Sequence, residues 1–436
     1  MAIPAVGLVF TPELSPLLRE AGELISMVEI EPQALWRRGE SAESIRLDLD
    51  AFESVLDLGK RRTLHSAGIP VGGSVTSSPA LLRALRESVR LLQPEWMSGN
   101  LSFNRVPCDT GSSFAGHLLP PPQTRAGVAI AARNLLALHV EVGIPVAFET
   151  GANYLQPGSG EMPDGDFFAA VARASGCGII LDLHSLWVNQ QNGRQSVGDV
   201  IARLPPDQVW EIHVAGGTTL EGHYLDSHDG LVPPEVMSEL ATCITSFPNL
   251  RAVVFEILPR HVERAGIGAI RSQLESIAGI CNACQCASGR PVVLPPERPQ
   301  CGATEVAEVA SWESKLAADI HERMARVAIY HRLISEARAG AIALCLRHSL
   351  SMLFLSVGAR ATERLVLEYI HSSEPRRYPE DEALRFAEYL RARLSHVPDL
   401  DDALRFECSV LETARWVSNL ESAVDSLEQK QIAAQA

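Results

Sequence analysis

From Val6 to Ile257, short apolar runs alternate with longer segments whose apolar residues recur at helical spacing. The runs are VGLVF (Val6–Phe10), MVEIE (Met27–Glu31), GIPVGG (Gly68–Gly73), WMSGNLSF (Trp96–Phe103), IPVAFE (Ile144–Glu149), GIILDLH (Gly178–His184), VWEIHVAG (Val209–Gly216) and AVVFEI (Ala252–Ile257). Between them Ser78–Leu92, Ala126–Val142, Asp166–Ser175 and Pro234–Phe247 read as helices. A continuous apolar run marks a strand buried on both faces. Eight such strands alternating with helices over roughly 250 residues predict an α/β fold, a TIM-type (β/α)8 barrel. A doubly wound sheet would also alternate, but it carries a Gly-rich phosphate turn after its first strand, and none follows Phe10.

Beyond the last run the pattern changes. A helical segment leads to CNACQC (Cys281–Cys286) and the Gly/Pro-rich SGRPVVLPPERPQCG, which reads as a linker. From Thr304 the periodicity is helical throughout, in Met324–Leu346, Phe386–Leu390 and Asp399–Trp416, with Pro375, Pro379 and Pro398 in the gaps. The expected organisation is a barrel over 1–275, a linker over 276–303 and a smaller all-α domain over 304–436, with Gln429–Ala436 a frayed tail. Arg376 and Arg377 beside Tyr378 are a compact basic pair, read as a solvated loop or as a grip on an acidic segment.

Charge and cysteine usage narrow the class. A formal net charge of -15 over 436 residues argues against a nucleic-acid groove. Neither a signal peptide nor a run of about 18 apolar residues is evident, so the chain reads as soluble and cytoplasmic, with no membrane partner. Nine cysteines, an odd number, do not suggest a disulfide framework. Cys281, Cys284 and Cys286, with Cys301 beyond, could form a zinc clip, but C-x-x-C-x-C lacks the partner spacing of common zinc modules, and reduced thiols are the default.

The candidate chemistry lies at the ends of the later runs. GIILDLHSLWVNQQNG (Gly178–Gly193) sets Asp182 and His184 two apart, a spacing that in an extended chain points both side chains the same way before a polar loop. Glu149 ends one run, Glu211 and His213 stand two apart in another, Glu256 closes the last, and Asp226 and His228 follow in LDSHDG. In a barrel the C-terminal strand ends converge on one mouth. Ionisable groups there need partners or an ion, and a set of nitrogens and oxygens without thiolates suits iron, manganese or zinc. Isolated histidines such as His65 and His139 read as hydrogen-bonded core residues, and Glu211 as a partner for backbone rather than for a metal.

Five ordered motifs carry a family resemblance: FETGANYL (Phe148–Leu155), ILDLHSLWVNQQNG, EIHVAGG (Glu211–Gly217), LDSHDG (Leu225–Gly230) and FEILP (Phe255–Pro259). From about Val6 to His261 the chain resembles the multinuclear non-haem iron-dependent oxidative enzymes, TIM-barrel proteins that include modifiers of peptide cysteines in methanobactin and thiaglutamate biosynthesis. The resemblance implies Glu149, Asp182, His213, Asp226, His228 and Glu256 as iron ligands or their immediate supports. His184 stands where the family usually has Asn and could also coordinate. Several family histidines are replaced: one near Leu14, one in a Leu-His-Gly strand matched to Val71-Gly72-Gly73, one in a Ser-Glu-His-Leu-Ser matched to Ser98–Ser102, and the second of Ala-Gly-His, here Gly217. One or two iron ions are therefore implied rather than three, with oxygen as co-substrate. Tyr330–Leu333, FAEYL and the stretch after Pro398 resemble the small helical partner proteins of this family, which recruit or position a precursor peptide.

The expected function is iron- and oxygen-dependent oxidative modification of a ribosomally made peptide, at cysteine, by a barrel fused to its own recruiting domain. A homo-oligomer is compatible with this. The alternative is a barrel that has lost its cluster and serves as a peptide-binding or scaffold subunit. A metal-dependent isomerase or endonuclease on the same barrel is a third reading, since fold does not fix function.

Overall fold

The computed structural model describes residues 3–38, 44–286, 290–296, 301–394, 397 and 399–414. The expected tail at 429–436, Trp416, and parts of the expected linker (287–289 and 297–300) lie outside the described residues. The chain divides into two compact units: Met1–Trp36, Leu47–Phe103 and Leu118–Ser314 form one, and Arg37–Arg46, Asn104–His117 and Lys315–Ala436 the other.

The first unit is a closed parallel barrel of eight strands: β1 (Ala5–Phe10), β2 (Met27–Ile30), β3 (Arg61–Ser66), β4 (Met97–Asn100), β5 (Val146–Glu149), β6 (Gly178–Asp182), β7 (Val209–Ala215) and β8 (Ala252–Glu256). Each strand pairs with its neighbour in sequence and β8 closes on β1, with Ala5 opposite Ala252 and Leu8 opposite Phe255. The third strand is a correction. GIPVGG is not a strand, and the barrel instead uses RRTLHS, whose Leu64 pairs with Met97. Pro70 cannot donate to a central ladder, and Gly72 and Gly73 offer no side chain to pack on the pleat. Residues 68–73 form the exit loop instead, with Val71 N–H donating to Asn100 O over 2.9 Å.

Helices connect the strands, and several are capped in ways the sequence signals. Ser78 and Thr124 accept from the third backbone N–H of helices Pro79–Leu92 and Arg125–Val142. Helix Asp164–Ser175 ends on Gly176 at φ 69°, where a Cβ would meet Leu294 O at 2.0 Å, so the extended chain after 290 lies directly against that turn. Helix Ile267–Asn282 runs past position 276, where the composition places the start of a linker.

Cys281, Cys284 and Cys286 are buried, with the sulfurs of Cys284 and Cys286 3.2 Å apart. Burial pushes the Cys281 and Cys286 thiols up to about 12, which holds them protonated. Among the described residues, the gatherings of three or more ligand atoms within 4.8 Å contain no cysteine.

The second unit is largely helical, with helices Ala328–Cys345, Arg347–Val357, Ala359–Ser372, Pro379–Arg391 and residues 400–414. Its core gathers Ile342, Leu353, Tyr369, Phe386, Leu390 and Leu404. The unit also takes chain from two hairpins that the apolar pattern did not announce, Trp36–Arg38 with Ile45–Leu47 and Phe103–Cys108 with Gly111–Leu119. Arg38 sits 4.5 Å over the Tyr378 ring and Arg377 5.6 Å from it, so one member of the basic pair read from sequence lies against that ring. Among the described residues no single helix is long and apolar enough to cross a membrane.

Candidate metal centre

Along the barrel wall the inward-facing side chains change character. Residues two apart on a strand share a face. Met27, Ala147, Ile180 and Val254 belong to one buried apolar cluster with Trp96 and Trp210. Two residues further along the same strands stand Glu29, Glu149, Asp182 and Glu256. The apolar floor therefore gives way to carboxylates toward the C-terminal strand ends, where β7 adds Glu211 and His213 and β3 adds His65.

His213, fully buried, lies at the centre. Its Nδ1 is 2.7 Å from Glu149 Oε1 and 3.4 Å from Glu256 Oε1, while its Nε2 is 3.3 Å from Glu29 Oε1 and 3.7 Å from Glu211 Oε1. Trp96 Nε1 donates to Glu211 Oε2 over 2.8 Å. Glu149 is opposite Asn100 in the β4–β5 register and accepts from its amide, with His65 Nε2 3.3 Å away.

Asp182 and His184 are not arranged as the spacing predicts. β6 ends at Asp182, whose Oδ1 accepts from Ser185 N over 2.9 Å and caps the helix Leu183–Gln191. His184 thus occupies the first helical turn, and most of the predicted loop after it is helix. A side-chain carboxylate that can satisfy a free helical N–H turns the chain at that point, and the strand face is lost. The loop bearing Asp226 brings the two residues back together. Asp226 Oδ1 lies 2.7 Å from His184 Nδ1 and 3.0 Å from His228 Nε2. Ser185 Oγ is 2.6 Å from both Asp182 Oδ2 and Asp226 Oδ2. One hydroxyl proton serves one of these contacts, so the other calls for a proton on a carboxyl. Burial, followed by the charges of Asp226 and Glu149, raises Asp182 to about 7 and makes it the holder. His228 Nε2 is also 3.5 Å from Glu256 Oε2, and its backbone adopts φ 48°, rare for a residue with a side chain.

The electrostatics of the cluster are those of a site that favours cations. Burial works against the charged form of His228, but Glu256 and Asp226 outweigh it and raise the imidazole to about 10. Burial also works against the Glu256 carboxylate, and His213 and His228 nevertheless pull it down to about 2. Asp226 is likewise held well below its ordinary range by His228 and His184 against the cost of burial. Protons on these imidazoles occupy the electrostatic place that a bound metal would take.

Whether the residues fit a metal can be judged from atoms left without partners. His184 Nε2, His213 Nε2, Glu256 Oε2, Glu211 Oε1 and both Glu29 oxygens are buried without a hydrogen bond. Unpaired buried polar atoms are costly, and a cation satisfies several at once. Four groups bring ligand atoms within 4.8 Å of one another: Glu149, His213 and Glu256; Asp182, His228 and Glu256; His184, Asp226 and His228; Glu29, Glu211 and His213. All seven residues singled out in the sequence converge here.

Three further residues belong to the cluster. His65, read above as a lone core histidine, faces Glu149. The third strand, Arg61–Ser66, thus contributes an imidazole from the barrel's first half. Glu211, read as a backbone partner, binds Trp96. Glu29 repeats the pattern of an acid two residues beyond an inward apolar side chain, here Met27.

Residues 5–258 match the family described as RiPP precursor modification enzyme MbnB/TglH/ChrH. A UPF0276 protein of Chromobacterium violaceum is 34% identical over 174 residues, 40% of this chain and 62% of that protein. One from Neisseria meningitidis serogroup C is 30% identical over 198 residues, 44% of this chain and 68% of the relative. One from Streptomyces avermitilis is 29% identical over 233 residues, 51% of this chain and 48% of the relative. The chain thus spans less than two thirds of the length of the Chromobacterium and Streptomyces relatives. Among solved structures, D-psicose 3-epimerase in the presence of D-fructose aligns with a TM-score of 0.39 and 13% identity, over 64% of this chain and 97% of that one. A xylose isomerase domain protein from Planctomyces limnophilus aligns with a TM-score of 0.41 and 12% identity, over 65% and 99%.

Proposed function

Because the chain belongs to the RiPP precursor modification enzyme MbnB/TglH/ChrH family, we propose that its barrel carries out an iron- and oxygen-dependent oxidation of a ribosomally made precursor peptide, at cysteine. The observation that supports this most is the convergence at one barrel mouth of nitrogen and oxygen donors whose buried atoms lack other partners.

Glu149, Asp182, His184, His213, Asp226, His228 and Glu256 are the residues that would hold the metal at the mouth or position its ligands, His213 doing the latter through Nδ1 on Glu149. The mouth groups share His228 and Glu256, and a single imidazole nitrogen serves one ion, so one or two ions fit the mouth better than three. Iron held there supplies the redox chemistry by which dioxygen takes electrons from a substrate cysteine.

The chain's own residues orient and insulate that site. Ser185 locks Asp182 to Asp226, and Asp182 N–H donates to Thr150 Oγ1 over 3.0 Å, which fixes the end of β6. Tyr154 Oη accepts from Asp226 N over 3.0 Å and anchors the loop that carries His228. The Trp187 and Tyr224 rings pack beside His184, at centroid distances of 6.3 and 6.1 Å, and keep water from that side. To the helical unit we assign the holding of the precursor peptide, on its resemblance to the partner proteins.

The test is anaerobic metal analysis of protein made in iron-replete cells, together with mass spectrometry of a Cys-bearing peptide encoded beside this gene. Iron in the protein and an oxygen-dependent mass change on the peptide are expected. Protein without iron that still binds the peptide would instead favour the scaffold reading, for which the side-chain-free Gly217 and the amide of Asn100 at the mouth are the supporting features.

A further inference from the structure

Beneath the mouth lies a second set of donors. Glu29, Glu211 and His213 have no exposed surface, and they sit directly above the apolar floor of Met27, Trp96 and Trp210. Both Glu29 oxygens, Glu211 Oε1 and His213 Nε2 are without hydrogen-bond partners. Two buried carboxylates facing each other with a single N–H donor between them, Trp96 Nε1 on Glu211, are expensive to maintain, since each is drawn out of water and repels the other.

The distances distinguish a hydrogen-bonded network from a ligand set. His213 Nδ1 lies 2.7 Å from Glu149 Oε1, the separation of an N–H donating to a carboxylate. On the opposite edge of the ring, Nε2 stands 3.3 Å from Glu29 Oε1 and 3.7 Å from Glu211 Oε1, both longer than a good hydrogen bond. Ligands about 2.1 Å from a first-row ion are separated by about 3.0 Å at right angles and about 3.6 Å in a trigonal plane. The spacings therefore match edges of a coordination shell. Trp96 Nε1, holding Glu211 Oε2 at 2.8 Å, turns Oε1 toward the same point, in the way an outer partner orients a ligating carboxylate.

We propose that Glu29, Glu211 and His213 Nε2 bind a divalent first-row cation beneath the mouth, separate from the ions held by Glu256, Asp182, Asp226 and His228. The assignment rests on the reading of the barrel as a metalloprotein. It fixes His213 as the Nδ1–H tautomer, which donates to Glu149 and so couples the deep ion to the mouth without sharing a ligand atom. Two carboxylates balance a divalent charge, and the sealed floor makes the mouth the route of entry.

Zn2+ alone, reloaded into the chelator-stripped full chain, is the probe. Anomalous diffraction from crystals of the wild type is expected to place a zinc peak between His213 Nε2 and the two carboxylates. In solution Glu29→Gln and Glu211→Gln are each expected to lose one equivalent of zinc, and Glu256→Gln to keep it while losing metal at the mouth. Mouth peaks without a deep peak overturn the proposal, as does full stoichiometry in both Gln variants. A deep peak with an empty mouth upholds it and sinks the reading of the mouth instead. Should either variant fail to fold, the wild-type map decides alone.

Discussion

A Cβ on Gly217 would lie 2.9 Å from both Cε1 and Nε2 of His184, and 2.1 Å from the carbonyl oxygen of Leu225. The imidazole that reaches the site from the helix Leu183–Gln191 thus fills the volume that any side chain at 217 would need. Gly217→Ala should push the ring off Asp226 and displace the Leu225 backbone. Overpacking of this kind costs about 1–3 kcal/mol. A lower melting temperature together with reduced metal content is the expected pair of results, and an unchanged melting temperature would remove the steric argument.

His184→Asn keeps a polar side chain in the helical turn but withdraws Nε2 from the mouth and the 2.7 Å contact from Asp226. Metal occupancy, measured after equilibration against a competing chelator, should fall. Occupancy equal to wild type would mean that His184 only positions Asp226 and does not ligate.

A third prediction concerns pH. Glu313 is buried, receives Ser74 N–H over 2.7 Å and pairs with the Ser74 hydroxyl, yet burial outweighs these contacts and raises its carboxyl from 4.5 to about 7. The folded chain then binds a proton that the unfolded chain has released between pH 4.5 and 7. Stability from this group therefore falls as pH rises through that window and is level above it. Glu313→Gln removes the slope, so its melting temperature relative to wild type should climb from pH 5 to pH 7.5. A constant difference across that range would contradict the assignment.

In the helical unit Arg338 and Glu382 form a buried pair, with Nη2 2.6 Å from Oε1 and Nη1 donating to Ile370 O over 2.7 Å. Arg338→Met leaves Glu382 buried without its cation, which typically costs about 3–5 kcal/mol. Chemical denaturation of the full chain should show that loss. Arg338→Met combined with Glu382→Leu should recover part of it, and a double variant no better than the single would argue that the bonds from Arg338 to Ile370 and Ser373 carry the effect.

What the sequence determined by itself is whatever depends on local period. The apolar runs mark seven of the eight barrel strands, because a strand buried on both faces must be apolar along its length. The acids and imidazoles at Glu149, His213 and Glu256 are legible for the same reason, since a charged group on such a run has to be there for a purpose. Tertiary structure decided the rest. The third strand, RRTLHS, carries two arginines and does not look buried; only closure of the barrel between β2 and β4 makes it a wall, and only then does His65 face Glu149. Glu29 and Glu211 become ligand candidates through the approach of β2, β4 and β7 across the interior, which no spacing along the chain records. The opening expectation for Asp182 and His184 failed because capping, a competition for one backbone N–H, ended the strand between them. Their reunion through Asp226, and the need for a bare Gly217 beside His184, are contacts between elements far apart in sequence, set by how the barrel closes rather than by either segment alone.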